Sequence, residues 1–233
     1  MSTSTSTGES TGPVETIVFD VNETLSDMAP LGAAFEAVGV PAELAGTWFA
    51  GVLRDGFAAA LTGDNVPFAT VAQDSAARLL TARGIDRVQD AVGSIMEAMQ
   101  GLGVHPDVVP GIAALRSRAE LVTLSNGATT VARGLLERAG VLDAFGRLLS
   151  VEDAPAWKPA GSSYAYAAQA CGRAPERMLL VAVHPWDIHG AHAAGLRTAW
   201  INRDGGAYPA YLTAPDLEAP DLPGIAARLD DLG

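Results

Sequence analysis

The chain of 233 residues contains one cysteine, few basic residues and no long apolar run. Because a single cysteine cannot form an internal disulfide, the composition fits a reducing compartment, and we expect a cytoplasmic protein. Only 15 lysines and arginines stand against 27 aspartates and glutamates, so the formal net charge is −12. A field of that sign repels phosphate backbones, and we expect no nucleic-acid partner. No segment approaches the ~20 apolar residues of a membrane helix, so we expect no membrane partner either.

The periodicity of the apolar residues indicates a core with an insert. Residues 1–12 are rich in Ser, Thr and Gly, lack the apolar stretch of a signal peptide, and are predicted to be a disordered tail. Strand-like runs alternate with helical patterns after residue 104, which predicts an α/β fold with a doubly wound parallel sheet. Residues 28–103 show helical periodicity alone. We therefore predict a core domain of residues 13–27 and 104–233, with an all-helical cap domain at residues 28–103.

Asp20 lies directly after the first predicted strand. The predicted strands cover residues 14–19, 120–124, 148–151, 178–183 and 198–202. Open α/β sheets bind their ligands at the carboxyl ends of the strands, where Asp20 is placed. An aspartate in this position can be a nucleophile, or it can simply cap a helix.

Three later segments carry polar groups that could meet Asp20. Ser125 and Asn126 end the second predicted strand and could cradle an anion together with backbone N–H groups, or form a capping loop. Lys158 lies between Trp157 and Pro159, where it could hold a carboxylate ionised or remain a solvated charge. Asp187 follows the fourth predicted strand and could fix Lys158 in place, or begin the next helix.

These segments resemble the four motifs of the haloacid dehalogenase (HAD) superfamily. The motifs occur in family order as FDVNETL at residues 19–25, LSNG at residues 124–127, the pair Lys158-Pro159, and VHPWD at residues 183–187. The resemblance implies a Rossmann-like core with a cap of the C1 type. It also implies that Asp20 attacks the substrate to form an aspartyl ester, that Lys158 keeps Asp20 ionised, and that Asp187 positions the lysine.

Two positions make the chain resemble the L-2-haloacid dehalogenases more than the phosphatases of the superfamily. The phosphatases carry a second aspartate two residues after the nucleophile, where this chain has Asn22, and two acids in the fourth motif, where Val183 takes one position. Mg²⁺ prefers oxygen ligands, so the resemblance implies no cofactor, and Mg²⁺ only if the chain is a phosphatase. Trp186, Tyr164 and Phe68 also match the dehalogenase branch, although buried aromatic residues serve equally as core.

The same resemblance assigns roles around the substrate. It implies that Ser125 and the backbone at Asn126 bind a substrate carboxylate and that Thr24 supports the loop of the nucleophile. Asn22 replaces a tyrosine that the dehalogenases place two residues after the nucleophile, and we count it among the substrate-binding positions.

The cap departs from the dehalogenase pattern. Those enzymes place an arginine just after a tryptophan to bind the departing halide, and alignment on Trp48 puts Phe49 at that position. Three interpretations stay open. Arg54 takes over through a shifted register, an apolar wall of Trp48 and Phe49 receives the halogen, or the substrate is not a 2-haloacid.

His184 replaces an asparagine of the dehalogenase motif. Because histidine titrates near neutrality, we hypothesise that His184 activates or orients the water that hydrolyses the ester. A metal site is the alternative, since Asp187, His189 and His192 lie nearby in sequence. Zinc requires convergent ligands, and His189 and His192 lie beyond the start of the predicted helix, where we expect them to point to solvent, so we expect no metal.

Taken together, the sequence predicts a hydrolase that displaces halide from a small 2-haloalkanoate. A phosphatase acting on a small phosphorylated metabolite is the alternative, followed by a HAD hydrolase with a non-halogenated substrate and by a scaffold kept for binding. The expected partner is a small-molecule carboxylate. Related dehalogenases are commonly dimers, so the resemblance also implies a homodimer, while the sequence itself leaves the oligomeric state open.

Overall fold

The core of the protein is a six-stranded parallel sheet. The structure is a computed structural model that describes residues 12–232, so the tail predicted at residues 1–12 lies, apart from Gly12, outside the described residues. The strands are β1 (Thr16–Phe19), β2 (Glu120–Ser125), β3 (Phe145–Ser150), β4 (Met178–Ala182), β5 (Arg197–Ile201) and β6 (Leu217–Ala219). Their order is β3-β2-β1-β4-β5-β6, which confirms the predicted doubly wound fold.

The central strands explain where a site can form. All residues of β1 and β4 are buried, as expected for parallel strands covered on both faces. Strand β1 pairs with β2 on one side and β4 on the other, with Phe19 in register with Thr123 and Val181. The strand order therefore reverses direction at β1, and a crevice opens at its carboxyl end.

Helices cover both faces of the sheet and form the predicted cap. Four of them follow β1: α1 (Leu31–Ala37), α2 (Leu44–Leu61), α3 (Phe68–Ala82) and α4 (Val88–Gln100). The others alternate with the later strands: α5 (Val108–Leu115), α6 (Thr129–Arg138), α7 (Gly161–Cys171), α8 (Pro185–Ala193) and α9 (Leu222–Ala227). An isolated antiparallel bridge joins Ser26 to Val104, where the chain leaves the sheet for α1 and returns from α4. The exact domain boundaries stay a prediction.

Alternate residues of the strands belong to two separate apolar clusters. Val18 and Leu180 belong to a cluster that continues into the interior of the helical cap and includes Phe35 and Ile95. Ile17 packs on the opposite face of the sheet, in a cluster shared with α5, α6 and α9. The period of two along β1 thus turns Val18 toward the face covered by α7 and α8, and Ile17 toward the face covered by α5, α6 and α9.

The carboxyl-terminal segment differs from the sequence expectation. Strand β6 was not predicted, because three residues on a sheet edge are too few to show a periodic pattern. The helix expected over residues 222–232 is shorter: α9 ends at Ala227 and a 3-10 turn follows at Leu229–Leu232. Within residues 12–232, no helix has both the length and the apolar character needed to cross a bilayer.

Candidate active site

Asp20 lies at the carboxyl end of β1 with both carboxylate oxygens occupied. Its backbone N–H donates to the Val181 carbonyl at 3.1 Å, and the residue is 3% exposed. Oδ1 is 2.9 Å from the Lys158 ammonium, and Oδ2 accepts from Thr24 Oγ1 at 2.6 Å and contacts His184 Nδ1 at 3.1 Å. Burial alone would raise the pKa of Asp20, but Lys158 and His184 together hold that pKa far below its ordinary value. Asp20 is therefore ionised over the whole range in which the protein would work.

Lys158 forms a buried bridge between two carboxylates. It is fully buried, and its Nζ is 2.6 Å from Asp187 Oδ2 as well as 2.9 Å from Asp20. Burial lowers the pKa of Lys158, yet the charges of Asp187 and Asp20 raise it above its ordinary value. Tyr164 Oη donates to Asp187 Oδ1 at 2.6 Å, and burial beside Asp187 raises the pKa of Tyr164 well above its ordinary value. Burial and the nearby Asp20 raise the pKa of Asp187, which Lys158 opposes.

The loop after β2 holds Lys158 and leaves one hydroxyl directed at the site. Ser125 Oγ accepts the Gly127 N–H at 2.9 Å, so its own O–H remains for a ligand. The Asn126 side chain accepts the Lys158 N–H at 3.0 Å and donates to the Lys158 carbonyl at 3.3 Å. The Asn126 side chain thus positions the lysine backbone, and the predicted contact of its backbone N–H with a substrate carboxylate stays a prediction.

Thr24 connects two loops of the site. Its hydroxyl donates to Asp20 and accepts the Val183 N–H at 3.1 Å. The loop after β1 is thereby tied to the loop after β4, which carries His184 and Asp187. The supporting role of Thr24 in catalysis stays a prediction.

His184 contacts two carboxylates, and one of them was missed by the sequence reasoning. Its Nδ1 faces Asp20, and its Nε2 is 2.7 Å from Glu23 Oε2. Burial lowers the pKa of His184, but the bonds to Asp20 and Glu23 outweigh it and raise the pKa to about 9. Glu23 has a φ of 61°, in the left-handed region that few non-glycine residues adopt. The only signal for Glu23 was a carboxylate three residues after Asp20 in the same loop.

Aromatic rings pack around the charged residues. Trp186 stacks on His184 with ring centroids 4.9 Å apart, and Lys158 Nζ lies 5.9 Å from the centre of the same indole ring. The edge of Phe57, on α2 of the cap, contacts Trp186 at 4.9 Å. Trp186 thus lies between the loop of His184 and the cap, and its contact with substrate stays a prediction.

A small cavity of about 60 Å³ lies between the cap and the carboxyl edge of the sheet. It is lined by Asn22, Phe68 and Ser125, together with apolar residues of α4 and α6. Phe49 packs on Phe68 with ring centroids 6.2 Å apart and is 3% exposed. The structure thus brings an apolar wall to the hydroxyl of Ser125.

Trp48 and Arg54 do not reach this cavity. The indole of Trp48 donates to the Ala72 carbonyl at 3.1 Å and packs on Phe35 inside the cap, so its predicted substrate contact is corrected to a core role. The Arg54 side chain is 75% exposed and pairs with Asp55 at 2.7 Å. The structure therefore gives no support to a shifted register in which Arg54 replaces the cap arginine.

We expect Arg54→Ala to leave turnover within about twofold of the wild type. An exposed ion pair contributes at most about 1 kcal/mol, and the arginine contacts no residue of the site. Steady-state kinetics with the best substrate would check this expectation, with Asp55→Ala as the matched control for loss of the pair. If turnover dropped tenfold or more in Arg54→Ala but not in Asp55→Ala, Arg54 would have to be counted among the site residues.

The donor set around Asp20 does not fit Mg²⁺. Both carboxylate oxygens already face N–H or O–H donors, and Asn22 and Val183 bring no carboxylate to the same place. The alternative cluster of histidines also fails to converge: His189 Nδ1 pairs with Thr213 Oγ1 at 3.1 Å, and His192 is exposed on α8. Across residues 12–232, no group of three or more His, Cys, Asp or Glu side chains is arranged to hold a metal.

The raised pKa of His184 predicts a pH-dependent contribution to stability. The imidazolium is favoured in the folded state, so its contribution is complete below the unfolded pKa of about 6.5 and is lost as pH rises through about 9. We expect the difference in unfolding free energy between the wild type and His184→Asn to shrink by up to about 3 kcal/mol between pH 6 and pH 10. Urea unfolding at both pH values would measure it. A difference independent of pH would contradict the assignment.

The fold and the site define a class: an α/β protein with a buried carboxylate–lysine–carboxylate bridge at the point where strand order reverses. Comparison with known proteins gives the family. The profile of the haloacid dehalogenase-like hydrolases matches residues 14–195, and the chain belongs to this family of hydrolases.

Curated relatives and solved structures match almost the whole chain. The haloacetate dehalogenase H-2 of Moraxella sp. (strain B) is 29% identical over 91% of this chain and 96% of its own. The (S)-2-haloacid dehalogenase of Pseudomonas sp. (strain YL) is 28% identical over 91% and 93%. Among solved structures, the L-2-haloacid dehalogenase RSc1362 superposes with a TM-score of 0.88 at 26% identity, covering 94% of this chain and all of that one. The L-2-haloacid dehalogenase from Xanthobacter autotrophicus gives 0.85 at 24% identity, with the same coverage, and supports the fold.

Proposed function

We propose that the protein is a 2-haloacid dehalogenase that hydrolyses the carbon–halogen bond of a small 2-haloalkanoate. The observation that carries the proposal is the state of Asp20: an ionised carboxylate, paired with Lys158, with Asn22 rather than a carboxylic acid two residues further on. Halide leaves as a stable anion and needs no proton, whereas a phosphate ester releases an alkoxide that does. The family relatives named above as haloacid dehalogenases support the same chemistry.

The first step is displacement at the carbon that bears the halogen. An oxygen of Asp20 forms a bond to this carbon while the carbon–halogen bond breaks, and the halide leaves with the electron pair. Lys158 keeps Asp20 ionised until the attack, and Asp187 with Tyr164 holds the ammonium in place. The product of this step is an ester between Asp20 and the substrate carbon.

The substrate is oriented by groups of both the core and the cap. The Ser125 O–H and the backbone N–H at Asn126 bind the carboxylate, as hydroxyl and amide donors at the end of a buried strand can. Phe49 and Phe68 supply an apolar wall near the cavity, and we assign the halogen to this side. Because this wall carries no cation, the departing halide receives little stabilisation from charge there.

The second step is hydrolysis of the ester. Water attacks the carboxyl carbon of Asp20, and His184 lies beside this carboxyl group, 3.1 Å from Oδ2. We assign His184 the role of taking the proton of that water. Asp20 is regenerated, and the 2-hydroxy acid is released.

The function is tested by halide release across a panel of 2-chloro-, 2-bromo- and fluoro-acids, with and without EDTA. We expect halide release that EDTA does not alter, and hydrolysis of p-nitrophenyl phosphate at no more than background. Phosphatase activity that requires Mg²⁺ and is lost with EDTA would replace this proposal with the phosphatase alternative. Under single-turnover conditions in ¹⁸O-water, label should appear in Asp20. Label in the product alone would point to direct attack by water.

The remaining expectations stay predictions. They are the absence of a metal cofactor, the small carboxylate partner, the cytoplasmic location and the homodimer. The EDTA arm of the panel tests the first, and sedimentation analysis tests the last.

A further inference from the structure

Glu23 has no role in the mechanism described so far, yet its carboxylate is aimed at His184. The Oε2 atom is 2.7 Å from His184 Nε2, which is shorter than the 3.1 Å between Nδ1 and Asp20 Oδ2. Trp186 stacks on one face of the imidazole, so the ring cannot rotate freely between the two carboxylates. The histidine is therefore held at both nitrogens and on one face.

The backbone conformation of Glu23 also indicates a special role. Among residues 12–232, Glu23 is the one non-glycine residue with a positive φ, at 61°. Its carbonyl accepts from His105 Nε2 at 3.0 Å, and the next carbonyl, of Thr24, accepts from Arg203 Nη2 at 2.9 Å. Asp107 in turn holds Arg203 with both of its carboxylate oxygens. A disfavoured conformation fixed by its surroundings is typical of residues with a functional task.

We propose that Glu23 is a positioning residue that fixes His184 in the tautomer required to hydrolyse the Asp20 ester. When Glu23 accepts the Nε2–H, neutral His184 presents the lone pair of Nδ1 toward Asp20. The opposite tautomer would present an N–H there and could not take a proton from water. This inference rests on the proposed function.

The formation of the ester itself switches His184 from acid to base. In the free enzyme both nitrogens are protonated, because each faces a carboxylate. Esterification removes the charge of Asp20 and with it one of the two partners of the imidazolium. His184 then gives the Nδ1 proton to solvent, which is the one proton that hydrolysis of a carbon–halogen bond must release.

In the hydrolytic step, Nδ1 of His184 also carries the protons of the water. Water attacks the Asp20 carboxyl carbon while Nδ1 takes one of its protons, and this proton passes to the leaving alkoxide to give the alcohol of the product. The bond between the Asp20 carbon and the ester oxygen breaks. The second proton of the water moves from the new Asp20 carboxyl group to Nδ1, which restores the imidazolium and the ionised nucleophile.

The pair of Glu23 and His184 lies at the edge of the buried site. Glu23 and His184 line a cavity of about 390 Å³, and the Glu23 side chain is 40% exposed. The titratable or charged groups that face His184 directly or across this cavity are Asp20, Glu23, Asp27, His105, Arg203 and Asp204. Among these, Asp20 and Glu23 contact the imidazole.

The test is pre-steady-state halide release by Glu23→Gly. Glycine adopts a φ near 60° without strain, so the substitution removes the carboxylate while suiting the backbone. We expect a rapid first release of one halide per active site, followed by turnover slower by on the order of 10²-fold, with the Asp20 ester detectable by mass spectrometry. The acidic limb of the pH profile of turnover, set by His184 in the ester, should move to lower pH. Asp204→Asn, which removes another carboxylate from the same cavity, should behave as the wild type.

Two outcomes would overturn the inference. One is turnover by Glu23→Gly that equals the wild type. The other is a first halide release slowed as much as turnover, which would mean that the loop had simply lost its shape. His184→Asn should accumulate the same ester, and its combination with Glu23→Gly should add little further loss, because both variants disable the same base.

A second measurement separates this inference from the proposed function. The tautomer of His184 is read by ¹⁵N NMR in Asp20→Ala, which lacks the charge that the ester also lacks. We expect the Nε2–H form in Asp20→Ala and a mixture of tautomers in Asp20→Ala/Glu23→Gly. If the wild type releases no halide from any substrate, the proposed function fails, and the NMR comparison alone tests the role of Glu23. A mixture of tautomers in Asp20→Ala/Glu23→Gly then supports the positioning by Glu23. The same tautomer in both variants refutes it.

Discussion

Asp20→Asn is expected to lose essentially all dehalogenase activity, by a factor on the order of 10⁴ to 10⁶ in kcat. The amide is nearly isosteric with the carboxylate, so the contact with Thr24 and the packing of the loop can persist. What disappears is the negative oxygen that attacks the carbon and the counter-charge for Lys158. Halide release under saturating substrate would measure the loss, with circular dichroism to verify the fold.

Asp27→Asn is the matched control for this variant. Asp27 lies in the segment that follows the Asp20 loop, and its Oδ1 accepts the Ala29 N–H at 2.9 Å without contacting Asp20. Its activity should stay close to that of the wild type. If Asp20→Asn retained more than about 1% of kcat, Asp20 could not be the nucleophile, and an attack by water held between Asp20 and His184 would become the better mechanism.

Lys158→Met is expected to remove both stability and activity. The substitution leaves Asp20 and Asp187 buried without their shared cation, and breaking such a bridge typically costs about 3–5 kcal/mol. Burial raises the pKa of Asp20, and without Lys158 fewer positive charges lower it. The pKa of Asp20 should therefore rise, and a fraction of the nucleophile should become protonated. Urea unfolding at pH 7 would measure the loss of stability. The pH profile of halide release should show an ascending limb displaced to higher pH.

The double variant Lys158→Met/Asp187→Asn separates the two effects. It removes one of the two uncompensated charges, so we expect it to regain part of the lost stability while activity stays low. Equal stability of the single and double variants would mean that the charge of Asp187 is not what destabilises Lys158→Met. Full activity in either variant would show that Asp20 does not need Lys158 to remain ionised.

The sequence was sufficient to predict five of the six strands of the sheet. Continuous apolar runs in the sequence marked β1 and β4. The polar residues that follow these two strands had to meet, because parallel strands end at the same edge of a sheet. That reasoning brought the segments of Asp20 and Asp187 together, whereas Lys158 follows neither strand and its role came from the family resemblance.

The sequence could not predict the direction of side chains that depends on local backbone angles. Glu23 reaches His184 only because its φ is 61°, a conformation that propensity argues against for glutamate. Trp48 and Phe49 are neighbours on α2, where successive side chains point about 100° apart, so one lies in the cap interior and the other packs on Phe68. Sequence spacing alone does not set the rotation of that helix against the sheet.

The buried bridge also makes this protein unusually easy to observe. Lys158 is the only lysine of the chain. Growth on ¹⁵N-lysine therefore places one isotopic reporter in the entire protein, at the nitrogen that touches the nucleophile. Its ammonium signal should be protected from exchange with water by complete burial, and should shift when Asp20 is esterified. Conversely, amine-directed coupling reagents find no accessible lysine in the folded chain, so dye labelling through lysine leaves the site untouched.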